Sequence, residues 1–152
     1  MTAPTATPAA IKALQLALAA EHAAIYGYSA AGGHLTINRR PLAVTDFTAH
    51  STARDQLAGA IRGRGAKVPA ALGAYTVPVL KDGLAAATFL AALEDATAAG
   101  YAGVLGATDD VALRRFAVGG LIASASRGTA WRLTAGTKPA TRPFPGIAGT
   151  PS

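Results

Sequence analysis

Two glutamates and one histidine stand near the middle of three predicted helices, and their types suit either a metal site or a buried ion-pair network. Glu21 lies in QLALAAEHAAIYGY and Glu94 in ALEDATAAGY, each seven residues before a tyrosine, and His50 lies in AHSTARDQL. Glu21 and Glu94 are the only two glutamates in the chain. A carboxylate inside a protein core costs several kcal/mol unless it is protonated, pairs with a cation or binds a metal.

Two hypotheses account for these buried acids. In the first, Arg54, one helical turn after His50, and Arg127 neutralise Glu21 and Glu94 through bidentate hydrogen bonds, which gives a network without metal. In the second, Glu21, Glu94 and His50 hold one iron or manganese ion with open coordination positions. We take the ion-pair network as the main prediction, and a small-ligand pocket stays open as a third possibility.

The composition narrows the chemistry and the class of protein. The chain has no cysteine, so thiolate ligands, thiol catalysis and disulfides are excluded, and His, Asp and Glu are the remaining strong metal ligands. Its apolar fraction is 51% and its charged fraction 14%, which favours a globular domain over disorder. The net charge of +6 comes from basic residues dispersed in ones and twos, which is typical of a solvated surface.

Apolar spacing predicts four amphipathic helices. They cover residues 9–32, 41–63, 83–106 and a fourth from the capping residues 108–110 to about residue 136. In the fourth helix the spacing places Leu113, Phe116, Ile122 and Trp131 in the core. No segment reaches the ~20 apolar residues of a membrane span, and the first ten residues lack a secretory signal, so we expect a cytoplasmic protein.

The lengths of the connections predict the topology. The first and last pairs of helices have short links, so each pair forms an antiparallel hairpin. The middle link, GAKVPAALGAYTVPVLK, reaches ~55 Å when extended at ~3.3 Å per residue, which exceeds the ~36 Å length of the predicted helices. We expect a flexible N-terminus over 1–8, a bundle over 9–135 and a non-helical Pro/Gly-rich tail over 136–152.

An internal repeat supports this topology. An offset of 73 residues relates Glu21 and Tyr28 to Glu94 and Tyr101, with a glycine before each tyrosine. The same offset relates Ser51 and Arg54 of the second helix to Ser124 and Arg127 of the fourth. We interpret the chain as two copies of one helical hairpin related by a pseudo-two-fold axis.

The segments AAEHAAIYGY, AHSTARDQL, AYTVP and ALEDATAAGY resemble alanine-rich ferritin-like domains of unknown function from high-GC (actinobacterial) bacteria. The resemblance covers about residues 9–135 and implies an all-α, ferritin-like four-helix bundle with one long crossover. Di-iron members use one Glu from each of two helices and Glu-x-x-His from the other two. Here Phe47 precedes His50 by three residues, and Gly120 and Ala123 stand at the equivalent positions of the last helix.

The resemblance therefore implies a degenerate metal site. We predict a non-catalytic binding or structural module without a cofactor, whose partner is an unidentified protein or small molecule. The alternatives are an iron- or manganese-dependent oxidoreductase using Glu21, His50 and Glu94, and a basic accessory factor that binds RNA or another polyanion. Small residues such as Ala24 and Ala31, predicted on the outer faces, would permit a homodimer, and no catalytic residue is assigned.

Overall fold

The computed structural model describes residues 6–147, and this part of the chain forms four long α-helices without a strand. They are α1 (Pro8–Ala31), α2 (Arg40–Arg62), α3 (Gly83–Ala107) and α4 (Val111–Thr134). A 3₁₀ turn, Gly32–His34, follows α1. The all-α prediction is confirmed. Of the predicted flexible segment 1–8, Pro8 already belongs to α1, and residues 1–5 lie outside the described part.

Three of the helices begin at side-chain caps that the sequence supplies. The hydroxyl of Thr7 accepts a hydrogen bond from the amide of Ala10 at 3.1 Å, and Asp82 accepts one from Ala85 at 2.8 Å. Asp110 caps α4 through the amides of residues 112 and 113. Each cap satisfies backbone donors that have no partner inside the helix.

The helices form two antiparallel hairpins joined by one long crossover, as predicted. α1 packs against α2 and α3, and α3 packs against α4, whereas α2 and α4 make few direct contacts. The crossover follows α1: Gln15 donates to the carbonyl of Lys67 at 2.9 Å, and the rings of Tyr26 and Tyr75 are in tilted contact with centroids 5.4 Å apart. The chain thus returns to the end of the bundle where α3 begins.

Small residues allow α1 and α3 to approach closely. A methyl group at Gly100 would lie 3.0 Å from the Cα of Ala17, and one at Gly27 would clash with the side chain of Leu93. Ala24 and Ala31 are fully buried, so the prediction that they lie on outer faces is wrong, because both belong to the inward stripe of α1.

Two apolar clusters fill the bundle on either side of a central polar layer. One cluster contains Leu14 and Leu57, and the other contains Leu90 and Trp131, which is fully buried. Ile122, predicted in the core, is 63% exposed because it lies on the outer face of α4. None of the helices in the described range combines the length and apolar character that a membrane span requires.

Residues 135–147, which follow α4, are non-helical and pack on the bundle. Arg132 donates to Asp95 of α3 at 2.8 Å and also to the carbonyl of Ala140. Gly146 has a positive φ of 81° and lies against the backbone of Ala98, where a side chain would clash. Residues 148–152 of the predicted tail lie outside the described part of the chain.

Candidate functional site

The structure brings Glu21, His50 and Glu94 together at the centre of the bundle. Each is fully buried, and each lies near the middle of its own helix, so the three side chains share one layer. Nδ1 of His50 lies 2.6 Å from a carboxylate oxygen of Glu21, and Nε2 lies 2.8 Å from one of Glu94. The histidine therefore bridges the two acids through both ring nitrogens.

The tyrosines of the internal repeat bond crosswise to these acids. The hydroxyl of Tyr101 on α3 donates to Glu21 on α1 at 2.7 Å, and the hydroxyl of Tyr28 on α1 donates to Glu94 on α3 at 2.5 Å. Both tyrosines are buried. Each copy of the repeat thus supplies the phenol that binds the acid of the other copy, which ties α1 to α3 at two points.

Of the two arginines assigned to the ion-pair network, the structure places only Arg127 in it. Nε of Arg127 donates to both carboxylate oxygens of Glu94 at 3.1 Å. Arg54 instead pairs with its neighbour Asp55 at 2.9 Å, and its side chain is 36% exposed. The prediction for Arg54 is wrong, because His50 already occupies the position on α2 from which a cation reaches Glu21.

Two further residues belong to this polar layer: Asp46, which was not predicted, and Trp131, which was predicted only as a core residue. Asp46 is 5% exposed, and Nε1 of Trp131 donates to its carboxylate at 2.9 Å and to the hydroxyl of Tyr28 at 2.7 Å. Helical spacing contained the signal: Asp46 lies four residues before His50, and Trp131 lies four residues after Arg127. Each therefore continues the inward face of its helix.

The central charges compensate one another. Burial opposes the charged form of His50, but hydrogen bonds to Glu21 and Glu94 outweigh it and raise the histidine pKa to about 9. Burial likewise acts to raise the pKa of Glu94, but His50 and Arg127 hold that pKa below its usual value. At neutral pH the Glu94 carboxylate therefore faces one imidazolium and one guanidinium. Burial raises the pKa of Asp46, which favours its neutral form.

These residues do not fit a metal site. A histidine ligand must offer a ring nitrogen lone pair, whereas both nitrogens of a protonated His50 donate to carboxylates. Between residues 6 and 147, no group of three or more His, Asp or Glu side chains has an arrangement that could hold a metal ion. His22 is half-buried and His34 is exposed outside the cluster, and neither adds a ligand.

A groove of about 650 Å³ separates α2 from α4 and reaches the polar layer. Small residues dominate its walls: they include Ala49 and Ala53 on α2 and Gly119, Gly120 and Ala123 on α4. The polar residues of its lining are Glu21, Thr52, Gln56, Tyr101, Arg115 and Arg127. This volume lies within the range of about 300–1,000 Å³ that is typical of small-molecule sites.

The ring of Tyr101 forms one boundary of the groove because Gly120 lacks a side chain. A methyl group at Gly120 would lie 2.5 Å from carbons of that ring. At the adjacent Gly119, by contrast, a methyl group would meet no atom within 4 Å, since that position opens into the groove. The groove is therefore closed at Gly120, where the ring of Tyr101 packs, and open at Gly119.

Comparisons with known proteins identify the family but carry no activity. No curated protein matches the sequence. The crystal structure of a conserved hypothetical protein, Rv2844 from Mycobacterium tuberculosis, is similar, with a TM-score of 0.81, 30% sequence identity and coverage of 90% of this chain and 97% of that chain. A family described as a domain of unknown function, DUF4439, matches residues 13–149. With nearly the whole chain matched, this protein belongs to the DUF4439 family.

Proposed function

We propose that this protein is a non-catalytic binding module on a ferritin-like four-helix bundle, and that it binds a small molecule in the groove between α2 and α4. The observation that carries the proposal is a groove of about 650 Å³ that reaches Glu21, Tyr101 and Arg127. The ferritin-like relationship is supported by the two hairpins and the long crossover along α1, and an origin in high-GC bacteria stays a prediction.

The hydrogen bonds of the polar layer support a structural role for it instead of a catalytic one. A general base needs a free lone pair and a pKa near the working pH. His50 donates from both ring nitrogens, and its pKa of about 9 keeps it protonated. Burial and the neighbouring carboxylates raise the pKa values of Tyr28 and Tyr101, so neither phenol ionises near neutral pH.

The polar layer also keeps the groove in shape. Glu94 joins α3 to α2 through His50 and to α4 through Arg127, while Glu21 joins α1 to α2. Together with the direct hydrogen bond from Trp131 on α4 to Asp46 on α2, these links hold the two helices on either side of the groove, so we expect the space between them to persist in the free protein. A preformed cavity lowers the ordering cost of binding.

A neutral fluorescent probe tests the groove directly. We expect N-phenyl-1-naphthylamine to bind the wild-type protein and to lose most of its fluorescence enhancement with Gly119→Leu, which fills the groove. Gly103→Leu on the outer surface of α3 is the matched control, because a methyl group there also meets nothing within 4 Å. Probe binding that is equal in both variants, or absent from the wild type, would contradict the proposal.

The remaining interpretations stay predictions with their own tests. Elemental analysis of protein purified without a metal-binding tag tests the iron or manganese oxidoreductase, for which we expect substoichiometric metal. RNA binding that falls steeply between low and physiological salt would support the polyanion-binding alternative. A homodimer and a cytoplasmic location are likewise predictions.

A further inference from the structure

We propose that the groove between α2 and α4 takes a monoanionic amphiphile, a molecule with one carboxylate head group and an apolar body, and that Arg115 binds the head group. The inference rests on the proposed function and deepens it by naming the ligand class.

The charges that line the groove point to an anion. Three of its lining residues are acidic or basic: Glu21 is an acid, and Arg115 and Arg127 are bases. Glu21 is bonded to His50, and Arg127 is bonded to Glu94, so these charges are compensated inside the bundle. The side chain of Arg115 is exposed, and its guanidinium has no hydrogen-bond or ion-pair partner within residues 6–147. The one uncompensated charge of the lining is therefore positive.

The surrounding residues leave Arg115 free for a ligand. α4 contains no acidic residue between positions 111 and 134, and the lining residues of α2 are uncharged. The neighbouring Arg114 differs, because it donates to the carbonyls of Leu105, near the end of α3, and of Thr108, which follows α3. Asp110 pairs with Arg64 at 3.3 Å and caps α4. A guanidinium without an internal acid favours a carboxylate, which it binds bidentately.

The remaining walls suit an apolar body. Phe116, Ala112 and Ala123 line the α4 side, and Ala49 and Ala53 line the α2 side. Arg115 and Arg127 are twelve residues apart, so these two lining residues are separated by ~18 Å along α4 at the ~1.5 Å rise of a helix. An alkyl chain anchored at Arg115 has room to run towards the ring of Tyr101. A cationic head group would instead meet two guanidiniums.

Calorimetric titration with three ten-carbon ligands tests the assignment. The probes are decanoate, 1-decanol and decyltrimethylammonium, each below its aggregation limit. We expect decanoate to bind at least about tenfold more tightly than decanol, because a charge-assisted hydrogen bond is added to the same apolar contact. Arg115→Gln should lower decanoate affinity to the decanol level and leave decanol binding unchanged. Arg114→Gln carries the same charge change and should preserve the preference for decanoate.

The outcomes separate this inference from the proposed function. Equal affinities for decanoate and decanol, equal losses in the two arginine variants, or preferred binding of the ammonium would overturn the role of Arg115. In those cases, binding of the neutral naphthylamine probe and its loss in Gly119→Leu would still support the groove. If neither the naphthylamine probe nor any ten-carbon ligand binds, both proposals fail together.

Discussion

The two halves of the central polar layer start from the same repeated sequence and end in different states. Around Glu94, the hydroxyl of Tyr28 and the side chains of Asp46 and Trp131 fill the space with hydrogen-bonded polar groups. Beside Glu21, the hydroxyl of Tyr101 donates a hydrogen bond, and the open groove borders both residues. We call these the Glu94 half and the Glu21 half.

The difference arises in the second helix of each hairpin. In the 73-residue repeat, Gly119, Gly120 and Ala123 of α4 correspond to Asp46, Phe47 and His50 of α2. Ala58 of α2 corresponds in the same way to Trp131 of α4. The acids and tyrosines on α1 and α3 are duplicated, whereas the side chains that would cover them are large in one copy and small in the other. The groove is the space left by that loss of volume.

Replacing each acid in turn should give the largest difference in stability between the two halves. Glu94 accepts hydrogen bonds from Tyr28, His50 and Arg127, whereas Glu21 accepts them from His50 and Tyr101. Glu94→Gln should lower the free energy of unfolding by about 3–5 kcal/mol, because it leaves buried cations without their partner. Glu21→Gln should cost clearly less. Urea unfolding measures both, and equal losses would contradict the asymmetry.

The pH dependence of stability tests the cation that joins the two halves. The pKa of His50 is about 9 in the folded protein and about 6.5 in an unfolded chain, so its stabilising contribution is complete below pH 6.5. That contribution is lost as the pH rises through 9 and amounts to about 3 kcal/mol. His50→Gln should remove this dependence. Parallel stability curves for the two proteins between pH 6 and 10 would show that folding does not raise the pKa of His50.

Exchanging the two repeat-related arginines for methionine sharpens the comparison. Arg127→Met should lower the free energy of unfolding by about 2 kcal/mol, since Glu94 loses a cation whose Nε donates to both of its oxygens and whose side chain is itself partly exposed. Arg54→Met should change it by less than about 0.5 kcal/mol, because the Arg54–Asp55 pair is on the surface. Similar losses of unfolding free energy in both variants would show that Arg54 belongs to the ion-pair network.

Adjacent glycines of the Glu21 half provide the smallest test. Gly120→Ala should lower the free energy of unfolding by about 1 kcal/mol or more, because the added methyl group overlaps the ring of Tyr101. Gly119→Ala should raise it by about 0.5–1 kcal/mol through helix propensity alone. Thermal denaturation followed by circular dichroism compares them, and a stabilising Gly120→Ala would mean that Tyr101 does not occupy this contact.

The helices and their order could be predicted because they depend on local signals. The apolar spacing, the caps at Asp82 and Asp110 and the length of the crossover each act over short stretches of chain. The central positions of Glu21, His50 and Glu94 were also predictable, since each continues the inward stripe of its helix.

The partners of the central residues could not be predicted, because they depend on distances between helices. Spacing on α2 permits His50 or Arg54 to face the acids, and only the packed bundle shows that the imidazole bridges both while Arg54 turns outward. The burial of Trp131 was expected, but its bond to Asp46 required both helices. The small residues Gly119 and Gly120 are visible in the sequence, but the groove also depends on the distance between α2 and α4 at that level, which the sequence does not give.

Nitrogen-15 NMR of the His50 ring, assigned with His50→Gln, tests the central claim most directly. We expect protons on both Nδ1 and Nε2 at neutral pH, a titration midpoint near 9, and no change when Fe²⁺ or Mn²⁺ is added. A ring that is neutral at pH 7, or a His50 signal that shifts or broadens with stoichiometric metal, would contradict an imidazolium held between Glu21 and Glu94.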